Sequence, residues 1–387
     1  MFANVGFRTL RVSRGPLYGM FIVLFIGVLI AKFAGQILID SETNFSHIIG
    51  SCSQIISFSK RTFYSSAKSG YQSNNSHGDA YSSGSQSGPF TYKTAVAFQP
   101  KDRDDLIYQK LKDSIRSPTG EDNYFVTSNN VHDIFAGVAD GVGGWAEHGY
   151  DSSAISRELC KKMDEISTAL AENSSKETLL TPKKIIGAAY AKIRDEKVVK
   201  VGGTTAIVAH FPSNGKLEVA NLGDSWCGVF RDSKLVFQTK FQTVGFNAPY
   251  QLSIIPEEML KEAERRGSKY ILNTPRDADE YSFQLKKNDI IILATDGVTD
   301  NIATDDIELF LKDNAARTND ELQLLSQKFV DNVVSLSKDP NYPSVFAQEI
   351  SKLTGKNYSG GKEDDITVVV VRVDQHSALQ SPGKQCK

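Results

Sequence analysis

Two apolar segments of the chain end in the same dipeptide, Asp-Gly. The first, residues 134–139, is followed by Asp140, and the second, residues 290–295, is followed by Asp296. Each run is short enough for a buried strand and lacks the three-and-four spacing of an amphipathic helix. A glycine after each aspartate lets the backbone turn tightly. The repeat predicts two buried strands that each present a carboxylate at a sheet edge, with an ordinary Asp-Gly turn as the alternative.

A third acidic site comes before a strand instead of after one. Glu121 and Asp122 precede the apolar segment 124–126. In an antiparallel pair, the start of one strand lies beside the end of the other. We therefore expect Glu121 and Asp122 at the same sheet edge as Asp140.

A fourth acidic site repeats this arrangement. Asp364 and Asp365 precede residues 366–373, the strongest β-branched run in the chain, so Asp364 is expected beside Asp296. If two such sheets pack face to face, the acids at their edges form one cluster. Carboxylates held this close together need a cation to stay ionised. Oxygen ligands without a Cys or His cluster favour Mg²⁺ or Mn²⁺. Solvated acids at strand ends are the alternative.

Periodic segments predict a large α/β body around these strands. About 280 residues of this kind are enough for one domain. Residues 256–266 are predicted as a surface helix, with a flap beside the active site as the alternative. The other predicted helices are 151–172, one opening at Thr181-Pro182, and one running from about Asp320 and ending before Pro340; further strands are 206–209, 217–220, 227–230 and 235–237.

Six short motifs in one order resemble the metal-dependent serine/threonine protein phosphatases, the PPM or type 2C family. The resemblance spans residues 91–374 and implies an α+β fold, a four-layer αββα sandwich of two antiparallel sheets flanked by helices. Trp145 and residues 247–252 resemble the branch whose members are often mitochondrial. The motifs are Gly120-Glu121-Asp122, Asp140-Gly141-Val142-Gly143-Gly144, Gly203-Thr204-Thr205-Ala206, Asn221-Leu222-Gly223-Asp224-Ser225, Thr295-Asp296-Gly297-Val298-Thr299-Asp300-Asn301 and Asp364-Asp365-Ile366-Thr367.

The resemblance also implies a metal site with two Mg²⁺ or Mn²⁺ ions and a weaker third. Asp140 would bridge the two ions, and Asp364 matches the family's spacing to the following Thr better than Asp365 does. The implied metal ligands are Asp140, the Gly141 carbonyl, Asp296, Asp364 and Asp122, with Asp224 and Asp300 around the third ion. The implied catalytic residues are Asp140, Glu121 and Asp122, the two latter binding metal-linked waters.

Two positions depart from the family pattern. Some members carry His directly after the first Asp-Gly, where this chain has Val142, so the leaving oxygen needs a proton from water or another group. Many members carry Arg four residues before the Glu, where this chain has Ser117. Arg116 lies one residue further away and is a candidate for gripping the substrate phosphate as a bidentate donor, with a solvated Arg as the alternative.

The function implied is hydrolysis of phosphoserine and phosphothreonine in proteins by a water activated between two divalent cations. Two other readings stay open: a metal-dependent phosphodiesterase, although the six His are scattered, and a catalytically weak phosphatase-like binding or sensing module. Phosphoproteins are the expected substrates of a monomeric catalytic domain. A net charge of −2 without a basic stripe argues against nucleic-acid binding.

The first ninety residues predict targeting and membrane anchoring. Residues 1–19 contain three Arg and no acid, as a mitochondrial presequence does. Residues 17–39 are apolar enough to form a transmembrane helix, although Lys32 opposes insertion. Residues 40–90 are predicted as a Ser/Gly-rich linker and residues 375–387 as a tail.

The predicted location of the anchored protein is the mitochondrial inner membrane, or the endoplasmic reticulum and nuclear envelope. A second presequence-like composition follows the apolar segment, so a form lacking about residues 20–50 is expected in the mitochondrial matrix. The family branch suggests mitochondrial metabolic enzymes, including those of quinone synthesis, as substrates.

Overall fold

The fold was described from a computed structural model over residues 87–102, 117–127, 130–172, 181–314 and 318–377. Its strands are β1 (Ser87–Gln99), β2 (Asp122–Val126), β3 (Ile134–Asp140), β4 (Gly202–Thr204), β5 (Ala206–Phe211), β6 (Lys216–Leu222), β7 (Trp226–Arg231), β8 (Lys234–Gln238), β9 (Thr243–Gly245), β10 (Ala248–Pro249), β11 (Leu252–Ile254), β12 (Asp279–Gln284), β13 (Ile290–Ala294) and β14 (Ile366–Ser377). Its α-helices are α1 (Ala154–Glu172), α2 (Pro182–Glu196), α3 (Glu257–Arg265), α4 (Asp296–Thr299), α5 (Thr304–Asp313), α6 (Asn319–Ser337) and α7 (Val345–Thr354).

Ten of these strands form two antiparallel five-stranded sheets. Sheet I has the order β1-β14-β13-β7-β8, and sheet II has the order β12-β6-β5-β3-β2. Two short ribbons, β9 with β10 and β4 with β11, complete the pairing. The predicted pairing of β2 with β3 and of β13 with β14 is confirmed.

Side-chain alternation along the central strands produces the layers. On β3, Ile134, Ala136 and Val138 lie between the sheets, where they join the alternate valines of β14. The opposite face of β3 presents Phe135 and Ala139 to α1 and α2. The opposite face of β14 packs on α6. Because successive strand residues point to opposite faces, a strand apolar on both sides is covered on both sides. The predicted αββα sandwich is confirmed.

The helices begin where the capping residues predict. The Thr181 hydroxyl accepts a hydrogen bond from the Lys184 N–H, and Pro182 occupies the first turn of α2. Thr318 and Glu321 form a reciprocal capping box at the start of α6. Helices α5 and α7 were absent from the sequence prediction. Both are ten residues long, and each buries only two or three side chains, so their periodicity is weak.

The strands extend past the predicted domain boundaries. β1 includes residues 87–90 of the predicted linker, and β14 includes residues 375–377 of the predicted tail, because Ser87 is paired with Ser377. The predicted presequence 1–19, the predicted transmembrane segment 17–39 and most of the predicted linker and tail lie outside the described residues. Among the helices of the described part, none has the length and apolarity needed to cross a bilayer.

Residues 256–270 fall in a separate compact unit of the chain. Within it, the predicted helix is confirmed as α3. Its surface carries ion pairs one turn apart, with Lys261 Nζ 2.6 Å from Glu257 Oε1 and Arg266 Nε 2.6 Å from Glu262 Oε1. Such pairs support a solvent-exposed helix.

Candidate metal centre

Strand pairing brings the predicted acids to common sheet edges. Asp122 at the start of β2 is directly opposite Asp140 at the end of β3. In sheet I, Ala294 is paired with Val368, so Asp296 just after β13 lies at the same edge as Asp364 just before β14. These juxtapositions follow from antiparallel pairing alone, as expected from the sequence.

A hydroxyl side chain connects the two edges. Thr295 Oγ1, from sheet I, donates to Asp122 Oδ2 of sheet II at 2.8 Å. The same oxygen accepts the Thr367 N–H at 3.1 Å, which orients the Thr295 side chain. Asp122 is only 1% exposed, so this bond holds a buried carboxylate across the sheet interface. Sequence reasoning missed Thr295, because the residue before Asp-Gly read only as part of an apolar strand.

Asp140 lies at the middle of the acidic group. Its N–H donates to Thr205 Oγ1 at 3.0 Å, and that oxygen lies 2.7 Å from Ser225 Oγ. Burial, followed by repulsion from Asp296 and Asp122, raises the pKa of Asp140 well above its ordinary value. Burial and the nearby Asp365 likewise raise the pKa of Asp122. Without a cation, these carboxyls therefore resist ionisation.

The two adjacent acids before β14 have different surroundings. Asp365 is 2% exposed, and its two oxygens accept the N–H groups of Lys101 at 2.8 Å and Glu121 at 2.7 Å. Its carboxylate thus joins the segment before β14 to the segments that contain Lys101 and Glu121. Asp364 is partly exposed and faces the other acids. Oxygen atoms of Glu121, Asp364 and Asp365 all lie within 4.8 Å of one another. Backbone N–H groups engage both oxygens of Asp365 but only Oδ1 of Asp364, which favours Asp364 as the ligand.

Two lysines that sequence reasoning missed enter the acidic group. Lys101 Nζ lies 2.7 Å from Glu121 Oε2 and 2.9 Å from Asp364 Oδ1. Lys362 Nζ lies 2.8 Å from Asp296 Oδ2 and 3.3 Å from Asp364 Oδ2. Burial alone would raise the pKa of Asp364, but the two ammonium groups outweigh it and hold that pKa below its ordinary range.

The two residues assigned to the third ion lie on the Asp296 side of the group. Burial raises the pKa of Asp224, and Asp296 and Asp300 add to the rise. Burial also raises the pKa of Asp300 to about 7, against the opposing charge of Lys362. Lys362 donates a short hydrogen bond to Asp300.

The backbone after Asp140 is closely packed. The Gly141 N–H donates to the Glu121 carbonyl at 3.1 Å, and a Cβ at Gly141 would lie only 2.5 Å from the Ser152 carbonyl. Only glycine therefore fits at this turn. The Val142 N–H donates to the Gly203 carbonyl at 2.8 Å. Arg116 lies outside the described residues, so its role stays a prediction.

The donors fit hard divalent cations. Among the described residues, no hydrogen-bond partner reaches the buried atoms Asp122 Oδ1 and Asp224 Oδ1, which is costly unless another group satisfies them. The surrounding ligand atoms are carboxylate oxygens, the ligands that Mg²⁺ and Mn²⁺ prefer. Because carboxylates must be deprotonated to bind, cation binding here would release the protons that the raised pKa values retain.

The chain is similar in sequence and in fold to known proteins. A family model described as Stage II sporulation protein E (SpoIIE) matches residues 130–374. Protein phosphatase 2C homolog 7, mitochondrial, of Saccharomyces cerevisiae is 91% identical over 374 residues, covering 97% of this chain and 100% of that protein. Protein phosphatase PTC7 homolog of Homo sapiens is 36% identical over 262 residues, covering 67% and 81%. The X-ray structure of the photosystem II phosphatase PBCP superposes with a TM-score of 0.55 at 25% identity, covering 73% of this chain and 98% of that one.

Proposed function

The chain belongs to the protein phosphatase 2C family, and from this premise we propose that two divalent ions in the acidic group support its hydrolysis of phosphoserine and phosphothreonine. Asp140, Gly141, Asp296 and Asp364 would hold the ions, with Asp122 and Glu121 beside them. The observation that carries the proposal is the buried Asp122 Oδ1, which has no hydrogen-bond partner in the described part of the chain and lies directly opposite Asp140 at the sheet edge.

When bound, such ions lower the pKa of water and neutralise charge on the phosphoryl oxygens. The chain's own residues position the acids that would hold these ions. Thr205 holds the backbone of Asp140, and Thr295 holds Asp122 across the two sheets. The Glu121 N–H donates to Asp365, and Lys101 Nζ and the Ser152 hydroxyl contact the two oxygens of its carboxylate, which fixes the side chain beside the proposed ions. Val142 cannot transfer a proton, so we propose that water protonates the leaving oxygen.

Removing divalent ions tests this proposal. The full-length chain should release phosphate from phosphoserine and phosphothreonine peptides, and EDTA should reduce the rate to background. Excess Mn²⁺ or Mg²⁺ should restore it. Undiminished hydrolysis in EDTA would show that the acidic group works without divalent ions.

A catalytically weak binding or sensing module is the second candidate. It would be favoured by the absence of hydrolysis when the purified chain binds Mn²⁺ normally. The acids at positions 140, 296 and 364 are all present, however, and a module that had lost catalysis would be free to lose them. We therefore favour the active enzyme.

We propose that the protein is located in mitochondria, because the Saccharomyces cerevisiae relative is named as mitochondrial. Mitochondrial metabolic enzymes, including those of quinone synthesis, are the proposed substrates. Residues 17–39 would anchor this form in the inner membrane. Imaging tagged chains with and without residues 20–50 tests the idea: the shorter chain should fill the matrix, whereas identical distributions, or a nuclear-envelope pattern, would contradict it.

A further inference from the structure

Lys362 occupies a position in the acidic group that a cation would otherwise be expected to fill. Its ammonium lies 2.8 Å from Asp296 Oδ2 and 3.3 Å from Asp364 Oδ2, and it is hydrogen-bonded to Asp300. Asn247 Oδ1 is a fourth oxygen neighbour at 3.1 Å. The Lys362 side chain is only 7% exposed. Lysine is almost never buried unless its charge is paired, and here carboxylates pair it.

The backbone of Lys362 is clamped to the helical turn that carries the acids. Asn301 Nδ2 donates to the Lys362 carbonyl, and the Lys362 N–H donates to Asn301 Oδ1, both at 2.8 Å. Asn301 Nδ2 also donates to the Gly297 carbonyl, in helix α4, which begins at Asp296. The ammonium lies 5.4 Å from the centre of the Phe346 ring, which covers it on another side. The position of the ammonium is therefore defined by the fold.

Lys101, the other lysine in the group, is less enclosed. Its side chain is 18% exposed, against 7% for Lys362. It can turn toward solvent when Asp364 changes partner, because long side chains keep their charged ends near water. Lys362 is more enclosed, with carboxylates on one side and the Phe346 ring on another.

An ammonium and a divalent ion cannot share these oxygens. Mg²⁺ binds oxygen at about 2.0–2.1 Å. An ion contacting Asp296 Oδ2 and Asp300 would therefore lie within a few ångströms of the Lys362 charge, where repulsion in a poorly solvated site is strong. Asp364 Oδ1 is contacted by Lys101 Nζ at 2.9 Å and by the Asp365 N–H at 3.0 Å, so an ion on that side has to displace only the more exposed lysine. The Asp300 side already carries the positive charge of the enclosed Lys362.

We propose that Lys362 is a tethered cation that fills the position between Asp296, Asp300 and Asp364 and limits this chain to two divalent ions. The inference rests on the proposed metal-dependent function, because it concerns how many ions that site accepts. It revises the expectation of a weaker third ion at Asp224 and Asp300.

Counting bound Mn²⁺ on the full-length chain tests this inference. Lys362→Met keeps a side chain of similar length against Phe346 and removes the charge. Lys234→Met is the matched control, since Lys234 is 75% exposed and pairs with Glu308. In Mn²⁺ titrations followed by calorimetry and by electron paramagnetic resonance of free Mn²⁺, wild type and Lys234→Met should bind two ions and Lys362→Met should bind three. An unchanged count in Lys362→Met would overturn the inference.

Two further variants separate the possible failures. Asp300→Asn should leave the wild-type count at two, because the Asp300 side holds no ion while Lys362 is present, and loss of an ion would overturn the inference even if Lys362→Met does not fold. Adding Asp300→Asn to Lys362→Met should return the count from three to two. A wild-type chain that binds no Mn²⁺ would instead refute the proposed metal-dependent function, on which the inference rests.

Thermal unfolding gives an independent readout. In EDTA, Lys362→Met should unfold at a lower temperature than wild type, because three carboxylates lose their shared counter-charge. In excess Mn²⁺ the difference should close or reverse. A purely structural role for Lys362 predicts the same difference in both conditions, which would contradict the inference.

Discussion

Asp140→Asn is expected to lower kcat/KM for phosphopeptide hydrolysis roughly a thousandfold or more, or about 4 kcal/mol of transition-state stabilisation. Burial raises the pKa of Asp140, and the neighbouring Asp296, Asp122, Asp364 and Asp224 all add to the rise. An amide of the same shape keeps the packing but removes the charge that would bridge two ions. Initial rates on a phosphothreonine peptide in saturating Mn²⁺ measure the effect, and a rate within tenfold of wild type would refute the assignment of Asp140.

Stability in EDTA is the control for this variant. The folded-state pKa of Asp140 is raised, so its contribution to stability is fully present below the unfolded value of roughly 3.9 and is lost as pH rises through the folded value. Asp140→Asn has no such group. Its melting temperature in EDTA at neutral pH should therefore equal or exceed that of wild type, and it should lose less stability than wild type between pH 5 and pH 7.5. A large drop in stability would attribute the lost activity to unfolding instead.

Gly297→Ala is expected to destabilise the fold by roughly 2–4 kcal/mol, and to lower the melting temperature on the order of 5–10 °C. A Cβ at Gly297 would lie 2.1 Å from the Asp365 carbonyl oxygen and 3.0 Å from Ile366 Cγ1. The nearest atom belongs to the backbone, so side-chain rotation cannot relieve the clash. The start of β14 must move away from α4, which separates Asp364 from Asp296. Denaturant unfolding measures the loss, and weaker stabilisation by Mn²⁺ should accompany it.

Gly245→Ala is the matched control for the second variant. Gly245 is the last residue of β9, and no described residue apart from its chain neighbours has an atom within 4 Å of the position its Cβ would take. Its substitution should change stability by no more than about 0.5 kcal/mol. Equal effects of the two substitutions would show that the close approach of α4 to β14 is not what Gly297 permits.

The sequence predicts eight of the ten strands of the two sheets, because local patterns carry their signal; the edge strands β1 and β12 are the two that it does not predict. The apolar run of β3 and the β-branched run of β14 identify buried strands. Whether an acid precedes or follows its strand then identifies the sheet edge at which it lies. Antiparallel pairing then places Asp122 opposite Asp140 without any three-dimensional information. The short helices α5 and α7 escape prediction because two or three buried residues make no distinct stripe.

The cationic part of the site is not evident from the sequence. Lys362 stands among glycine, glutamate and aspartate, where a lysine is ordinarily solvated. What buries it is Asn301, sixty-one positions earlier, and the ring of Phe346. Lys101 is likewise 263 positions from Asp364. Such contacts arise from tertiary packing, so neither spacing nor composition reveals them.

The position of β14 in sheet I has a consequence for protein synthesis. It is the last strand of the described chain, yet it lies between β1, the first strand, and β13. A ribosome adds about 5–20 residues each second, and domains fold as units once their parts are available. While residues 364–377 are still untranslated, β1 cannot join the sheet through β14 and Asp364 is absent. A nascent chain therefore carries most of the acids but no assembled centre, and phosphatase activity begins only when translation of the domain is complete.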